Sequence, residues 1–121
     1  MSIIKAFNKI LLNFIKELEN KYPEETDISI YKNSVILLDK TNPKLISNYY
    51  KIYVYIYKDY IDEKNESFFL NNDFNEETGG SEWCFVRGMR LKKYWKDLSD
   101  KSKDAVWEYF LTLNKLVENI Q

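Results

Sequence analysis

PKLISNYYKIYVYIYKDYIDEK, residues 43–64, is compatible with two different secondary structures. Its centre, residues 52–57, alternates tyrosine with aliphatic residues, which favours a β-strand. Apolar residues also follow the three-four spacing of a helix: Ile46, Tyr49, Tyr50, Tyr53, Ile56, Tyr57, Tyr60 and Ile61. About twenty residues without a turn signal exceed the usual strand of about five or six. We therefore predict a helix, central and largely buried because apolar residues surround it, with strand character at 52–57 as the alternative.

The residues before this segment predict two further helices. Apolar residues recur at spacings of three and four across residues 2–22, with Ser2 at the N-cap position and Pro23 ending the helix. A second helix is predicted over residues 27–40, where the acids at its start suit a helix N-terminus. Asn42 followed by Pro43 predicts the cap and first position of the next helix.

The residues after this segment predict one loop and two helices. Residues 62–82 contain seven acids and one lysine, which is typical of a loop, although residues 67–70 carry three large apolar side chains that we expect in the core. We expect residues 71–82 to be mobile. A short helix is predicted within residues 87–98, and Ser99 or Ser102 is expected to cap a final helix. Trp95 of the short helix and Trp107 of the final helix are predicted core residues.

Together these patterns predict an all-α fold, a single compact bundle of about five helices with one acidic loop. The 121 residues are expected to form one domain, residues 1–121, since chains divide into several domains only well above this length. No run approaches the roughly twenty apolar residues that a bilayer span needs, and no signal peptide is recognised. We therefore expect a soluble, intracellular protein, and the lone Cys84 is consistent with a reducing compartment.

The composition argues against catalysis. The chain has no histidine and one cysteine, so the commonest general base and the commonest transition-metal ligand are missing. No phosphate-binding glycine motif or zinc-ligand spacing occurs. The acids of residues 62–82 lack the spacing of a calcium loop, and a solvated acidic loop is the simpler interpretation. We predict no enzymatic activity, no cofactor and no metal.

Two charged blocks of opposite sign lie in the C-terminal half, although the whole chain carries only −1. Residues 62–82 have a net charge of −6 and residues 87–103 of +5. The candidate nucleic-acid or partner contacts are Arg87, Arg90, Lys92, Lys93, Lys96, Lys101 and Lys103. The candidate acidic interaction loop contains Glu76, Glu77 and Glu82. We expect the two blocks to pair, within one molecule or between copies.

Aromatic residues lie within the basic block. Proteins that bind single-stranded nucleic acid combine bases with aromatic side chains, and Tyr94 and Trp95 fit that pattern. The competing interpretation is a solvated helix face whose aromatic residues pack into the core. Sequence spacing alone leaves both interpretations open.

Several motifs carry a family resemblance. LKKYWKDLS at residues 91–99, followed by Lys103 and by AVWEYF at residues 105–110, resembles a C-terminal pattern of small proteins of nucleocytoplasmic large DNA viruses. YPE at 22–24, NPK at 42–44 and ESFFL at 66–70 are similar to the same group. The resemblance implies a helical fold and a giant-virus source, with host cytoplasm or the virion as the location. It implies no catalytic residue.

Ten tyrosines and three tryptophans exceed what the core of a bundle this small needs. Surface tyrosine and tryptophan are typical of protein interfaces. Our hypothesis is a non-catalytic interaction module of a large DNA virus that uses aromatic-rich and oppositely charged surfaces. Its partner is a viral or host protein, or a second copy, and no membrane is involved. The alternative is a nucleic-acid-binding accessory protein that uses residues 87–103.

Overall fold

The computed structural model describes residues 2–71 and 91–120, and within these two ranges the fold is all-α, compact and free of strands. The α-helices are α1 Ile3–Lys21, α2 Thr26–Thr41, α3 Pro43–Tyr53, α4 Lys58–Asp62, α5 Glu66–Asn71, α6 Leu91–Tyr94 and α7 Asp100–Glu118. Single turns of 3₁₀ helix lie at Tyr55–Tyr57 and Trp95–Asp97. No helix of the described ranges has the length and apolar character that a membrane span requires.

Helix α1 begins and ends where the sequence predicts. The Ser2 hydroxyl oxygen accepts a hydrogen bond from the Lys5 backbone N–H at 3.2 Å, which satisfies one free donor of the first turn. At the other end, the Tyr22 N–H donates to the Leu18 carbonyl at 2.9 Å, and Pro23 follows. The buried side of α1 consists of Phe7, Asn8, Leu11, Phe14, Ile15 and Leu18.

The junction of α2 and α3 is only partly as predicted. Helix α2 extends one residue beyond each end of the predicted range, and Pro43 opens α3 as predicted. The predicted side-chain cap at Asn42 is wrong, because its side chain makes no hydrogen bond to the first turn of α3. Asn42 is also the C-cap of α2, where its N–H donates to the Leu38 carbonyl at 2.7 Å. Its ψ of 70° therefore differs from the 153° of the capping Ser2.

The tyrosine-rich segment is helical but interrupted. Helix α3 ends at Tyr53, Val54 has φ −121° and ψ −48°, and one 3₁₀ turn leads into α4. The strand alternative for residues 52–57 is therefore wrong. The helical prediction is confirmed, although the structure divides the segment in two.

The predicted burial of this segment is wrong. Ile52 and Ile56 are 55% and 63% exposed. The centre of the bundle is occupied by α1 and α7, whose Leu11 and Leu113 are fully buried. Since α3 packs against α1 and α2 on one side, its other side lies at the surface. A helix that is apolar all round requires neighbours on every side.

The predicted acidic loop contains a short helix, α5. Its Phe69 is buried and packs against Trp95, with ring centroids 5.1 Å apart, so the expectation that residues 67–70 return to the core is confirmed at this residue. Of residues 71–82, which we expected to form a mobile loop, Asn71 is instead the last residue of α5, and residues 72–82 lie outside the described residues. Helix α5 and the division of the tyrosine-rich segment explain why the described ranges contain seven α-helices and not about five.

The C-terminal helices follow the predicted order. Within residues 87–98, the described part forms α6 and the second 3₁₀ turn. Ser99, and not Ser102, caps α7, because its hydroxyl oxygen accepts from the Ser102 N–H at 3.1 Å. Trp95 and Trp107 are 1% and 7% exposed and stand 5.3 Å apart between ring centroids, which confirms both as core residues.

Candidate functional site

Among the residues that the structure describes, the largest group of exposed apolar side chains on one continuous segment lies on α3, the following 3₁₀ turn and α4. We call it the exposed seam and define it as Tyr49, Ile52, Ile56 and Tyr60, which are 48%, 55%, 63% and 43% exposed. Tyr49 and Ile52 lie three residues apart on α3, Ile56 lies in the 3₁₀ turn and Tyr60 on α4, so exposed apolar side chains continue along the whole segment. Isolated exposed apolar residues are ordinary, but a row of four large ones is typical of an interaction site.

The opposite side of the segment fixes the orientation of the seam. Tyr50 is 1% exposed, and its hydroxyl donates to Asn114 Oδ1 of α7 at 2.6 Å. Burial raises the pKa of Tyr50 well above its ordinary value, so the phenol stays neutral and remains a donor. Tyr55 donates to Glu118 Oε1 at 2.9 Å, and Lys51 Nζ donates to the Ile120 carbonyl. These contacts join both halves of the segment to α7 and hold the seam toward solvent.

Neighbouring rings support the tyrosines of the seam. Tyr49 stacks on Tyr53, with ring centroids 6.1 Å apart. Tyr60 stacks on Phe68 of α5 at 3.7 Å and an interplanar angle of 3°. A tyrosine held in this way loses little conformational entropy when a partner covers it, so the seam is preorganised for binding.

The two ends of the seam carry opposite charges. Lys44 is exposed in the first turn of α3. Asp59 and Glu63 are exposed beyond Ile56, at the other end. Lys58 already pairs with Asp62 at 2.8 Å, which raises the pKa of Lys58 through the hydrogen bond. The segment therefore runs from a basic end through an apolar middle to an acidic end.

The structure places two of the predicted basic contacts in ion pairs with acids that are distant in sequence. Lys93 Nζ lies 2.8 Å from Glu25 Oε2, and this hydrogen bond raises the pKa of Lys93. Lys103 Nζ lies 3.2 Å from Glu66 Oε1. Lys92, Lys96 and Lys101 are exposed. Arg87 and Arg90 lie outside the described residues.

The aromatic residues of the basic block are engaged within the fold. Trp95 is buried and its Nε1 donates to Glu66 Oε1 at 2.6 Å, a bond that lowers the pKa of Glu66. Tyr94 stacks on Tyr22 at 3.9 Å and donates to Glu25 Oε2, which raises the pKa of Tyr94. Neither ring is presented for base stacking, the feature that made nucleic acid a candidate.

The predicted acidic interaction loop, with Glu76, Glu77 and Glu82, lies outside the described residues, and so does Cys84. One ion pair between the described parts of the two charged blocks joins Lys103 to Glu66. It joins α7 to α5 within one molecule.

A small cavity and an open groove lie in the described part of the chain. One, lined by Tyr53, Tyr57 and Trp107 among others, holds about 30 Å³, which is close to the volume of one water molecule. An open groove of about 390 Å³ lies between α1 and α7. Lys21 Nζ, at its edge, donates to Ser102 Oγ at 2.9 Å. The described residues contain no group of three or more metal-ligating side chains.

No family model, curated protein or solved structure matches the chain. The resemblance to proteins of large DNA viruses therefore stays a prediction. Function has to be inferred from the surface of the molecule itself.

Sequence reasoning missed what makes the seam a site. Tyr49, Ile56 and Tyr60 belong to the predicted helical stripe, but the pattern assigns them to the core. The signal was the presence of apolar residues on every side of the segment, more than the roughly 100° stripe that a surface helix buries. The sequence pattern places Glu63 only in the acidic loop and gives Asp59 no role, although both mark the acidic end of the seam.

Proposed function

We propose that this chain is a non-catalytic protein-interaction module that binds another protein through the exposed seam. The single observation that carries the proposal is the exposure of Ile52 and Ile56, each more than half, between two exposed tyrosines. Tyrosine anchors surrounded by apolar contacts are the usual energetic centre of a protein interface.

The seam is large enough to contribute useful affinity. Complete burial of an isoleucine side chain contributes roughly 1.5–3 kcal/mol. More than half of Ile52 and Ile56 remains to be buried, so together they contribute about that amount when a partner covers them. Each factor of ten in affinity corresponds to about 1.4 kcal/mol, so loss of both weakens binding about ten- to a hundredfold.

The proposal includes a source and a location. The resemblance of the C-terminal motifs supports a large DNA virus as the source. Host cytoplasm or the virion is then the location, and a viral or host protein is the partner. The same resemblance offers no catalytic residue, which supports a binding role over an enzymatic one.

Protein binding is better supported than nucleic-acid binding. Trp95 is buried, Tyr94 is stacked on Tyr22, and two of the candidate lysines are paired with glutamates. The exposed Lys96 and Lys101 still offer charge for phosphate contact. The nucleic-acid alternative is therefore kept as an outcome of the test.

The test is affinity capture of the tagged chain from infected cells, with and without nuclease. We expect the double variant Ile52→Gln/Ile56→Gln to lose a partner that the parent retains after nuclease treatment. The matched control is Ile30→Gln/Leu37→Gln, because these two residues of α2 are similarly exposed, 47% and 61%. The melting temperatures of both variants should stay close to that of the parent, since all four side chains lie at the surface.

Two results would contradict the proposal. One is identical capture by the parent and the seam variant. The other is loss of all captured protein on nuclease treatment, which would favour the accessory protein that uses residues 87–103.

A further inference from the structure

We infer that the partner of the exposed seam is a second copy of this chain, with the segment from α3 to α4 of each copy packed antiparallel about a two-fold axis. The inference rests on the proposed function, because it names the occupant of the same surface. Three features of the segment carry it: its apolar spacing, the charges at its ends and the direction of its side chains away from the core.

The apolar spacing suits packing against another helix. Within α3, Leu45, Tyr49 and Ile52 follow each other at intervals of four and three residues, which is the a and d pattern of paired helices. Ile56 lies four residues further on, in the 3₁₀ turn after α3. Leu45 is half-buried, and the other three are exposed. In the same register, Val54 and Ile61 occupy the side that faces the core of their own molecule. The segment thus has one apolar side for its own core and a second one for a partner.

The charges select a second copy and an antiparallel direction. Lys44 lies at one end of the seam, and Asp59 and Glu63 lie at the other, all exposed. Antiparallel packing brings the basic end of each copy against the acidic end of the other. Lys64, which follows Glu63, lies 3.8 Å from Glu108 Oε1 of its own molecule, so Asp59 and Glu63 are the charges that attract Lys44 of the other copy. Parallel packing places acids beside acids and lysine beside lysine. Opposed charges of this kind fix the direction of an interface, and a two-fold axis makes the contact reciprocal.

The register follows from the apolar middle. With the axis near Val54, Ile52 packs against Ile56 of the second copy, and the reciprocal contact is identical. Tyr49 then lies opposite Asp59 of the second copy, where its hydroxyl is a suitable donor to the carboxylate. The contact is one helix wide, so it resembles small, weak interfaces more than obligate ones.

The test is analytical ultracentrifugation of charge-reversed variants, alone and mixed, over about 1 µM to 1 mM. The parent should dimerise reversibly. Lys44→Glu alone and Asp59→Lys/Glu63→Lys alone should each dimerise about tenfold more weakly, because every end contact becomes repulsive. An equimolar mixture of these two variants should recover dimerisation, because both end contacts of the mixed pair are attractive. Ile30→Gln/Leu37→Gln should leave the parent behaviour unchanged.

A parent that stays monomeric throughout the range overturns the inference, and so does a mixture that associates no better than its separate components. These outcomes are distinguishable from failure of the proposed function. If the parent is monomeric but Ile52→Gln/Ile56→Gln still loses a nuclease-resistant partner, the seam binds a different protein. If the seam variant neither loses a partner nor changes the association state, the proposed function is also wrong.

Discussion

Trp95 connects three parts of the described core. It packs against Phe69 of α5 and Trp107 of α7, with ring centroids 5.1 and 5.3 Å away. Its indole nitrogen donates to Glu66 Oε1. A buried indole N–H without an acceptor is costly, so Glu66 makes it possible to bury the ring.

We predict that Trp95→Ala and Trp107→Ala each lower the free energy of unfolding by about 3–5 kcal/mol, because each leaves a large cavity in a packed core. Urea titration followed by circular dichroism measures the change. Lys96→Ala is the matched control for Trp95, since Lys96 is an exposed neighbour. A loss below about 1 kcal/mol at either tryptophan would contradict its role as a core residue.

A second residue-scale feature joins α1 to α2. Asn8 is fully buried, and its Nδ2 donates to Asp39 Oδ1 at 2.9 Å and to the Pro43 carbonyl at 3.1 Å. Lys5 Nζ also lies 3.1 Å from Asp39 Oδ1. The hydrogen bond from Asn8, followed by the contribution of Lys5, lowers the pKa of Asp39 from its ordinary value.

This lowered pKa predicts a pH dependence of stability. The unfolded chain takes up the Asp39 proton at a higher pH than the folded chain, so the stabilisation is complete above about pH 4 and is lost as pH falls through the folded value. We expect Asp39→Asn to reduce the loss of unfolding free energy between neutral pH and pH about 3, measured by urea titration. Asp104→Asn, which removes one exposed carboxylate of α7 away from the seam, is the control. Equal pH profiles for Asp39→Asn and the parent would contradict this assignment.

At the scale of elements, the starts of three helices show when a capping residue forms its side-chain hydrogen bond and when the preceding helix prevents it. Ser2 and Ser99 both cap their helices with the side chain. Asn42 also precedes a helix, but its side chain does not cap α3. Its backbone N–H donates to the last turn of α2 instead, so Asn42 is shared by both helices. A residue shared by two helices cannot take the extended conformation of an ordinary N-cap.

We predict that Ser99→Ala lowers the free energy of unfolding by about 1 kcal/mol, within the usual 0.5–2 kcal/mol for a lost cap. Asn42→Ala should cost clearly less, because no side-chain capping bond to the first turn of α3 is lost. Chemical denaturation of both variants measures the difference. The assignment of the caps is wrong if the two variants lose equal stability.

The interruption of the tyrosine-rich segment also results from packing between helices. Local propensity at residues 52–57 favours a strand, and the structure has a helix end and a 3₁₀ turn there. Val54 is 3% exposed, and Tyr50 is bonded to α7. Packing of these residues against the bundle outweighs a propensity that amounts to about 1 kcal/mol or less per residue.

At the scale of the whole molecule, the charges of the basic block are balanced by distant acids. Lys93 meets Glu25, 68 residues earlier in the chain, and Lys103 meets Glu66, 37 residues earlier. Exposed ion pairs of this kind add little stability, but they reduce the positive field that would attract phosphate. The exposed charges at the two ends of the seam, Lys44 at one and Asp59 and Glu63 at the other, are the ones that the charge-reversal experiment changes.

The sequence by itself determined the helical class, both ends of α1 and the burial of Trp95 and Trp107, and it reduced the cap of α7 to Ser99 or Ser102. These features depend on spacing and caps within a few residues, so a pattern in the chain is enough to specify them.

Only the tertiary structure decided which side of the tyrosine-rich segment faces solvent and which lysines of the basic block are paired. An apolar stripe in the sequence is the same whether the core or a partner covers it. The stripe carries no information on how many neighbouring helices are available to pack against it. Because α1 and α7 occupy the centre, Ile52 and Ile56 lie at the surface. The pairing of Lys93 with Glu25 depends on contacts between α6 and the start of α2, and sequence spacing carries no information about them.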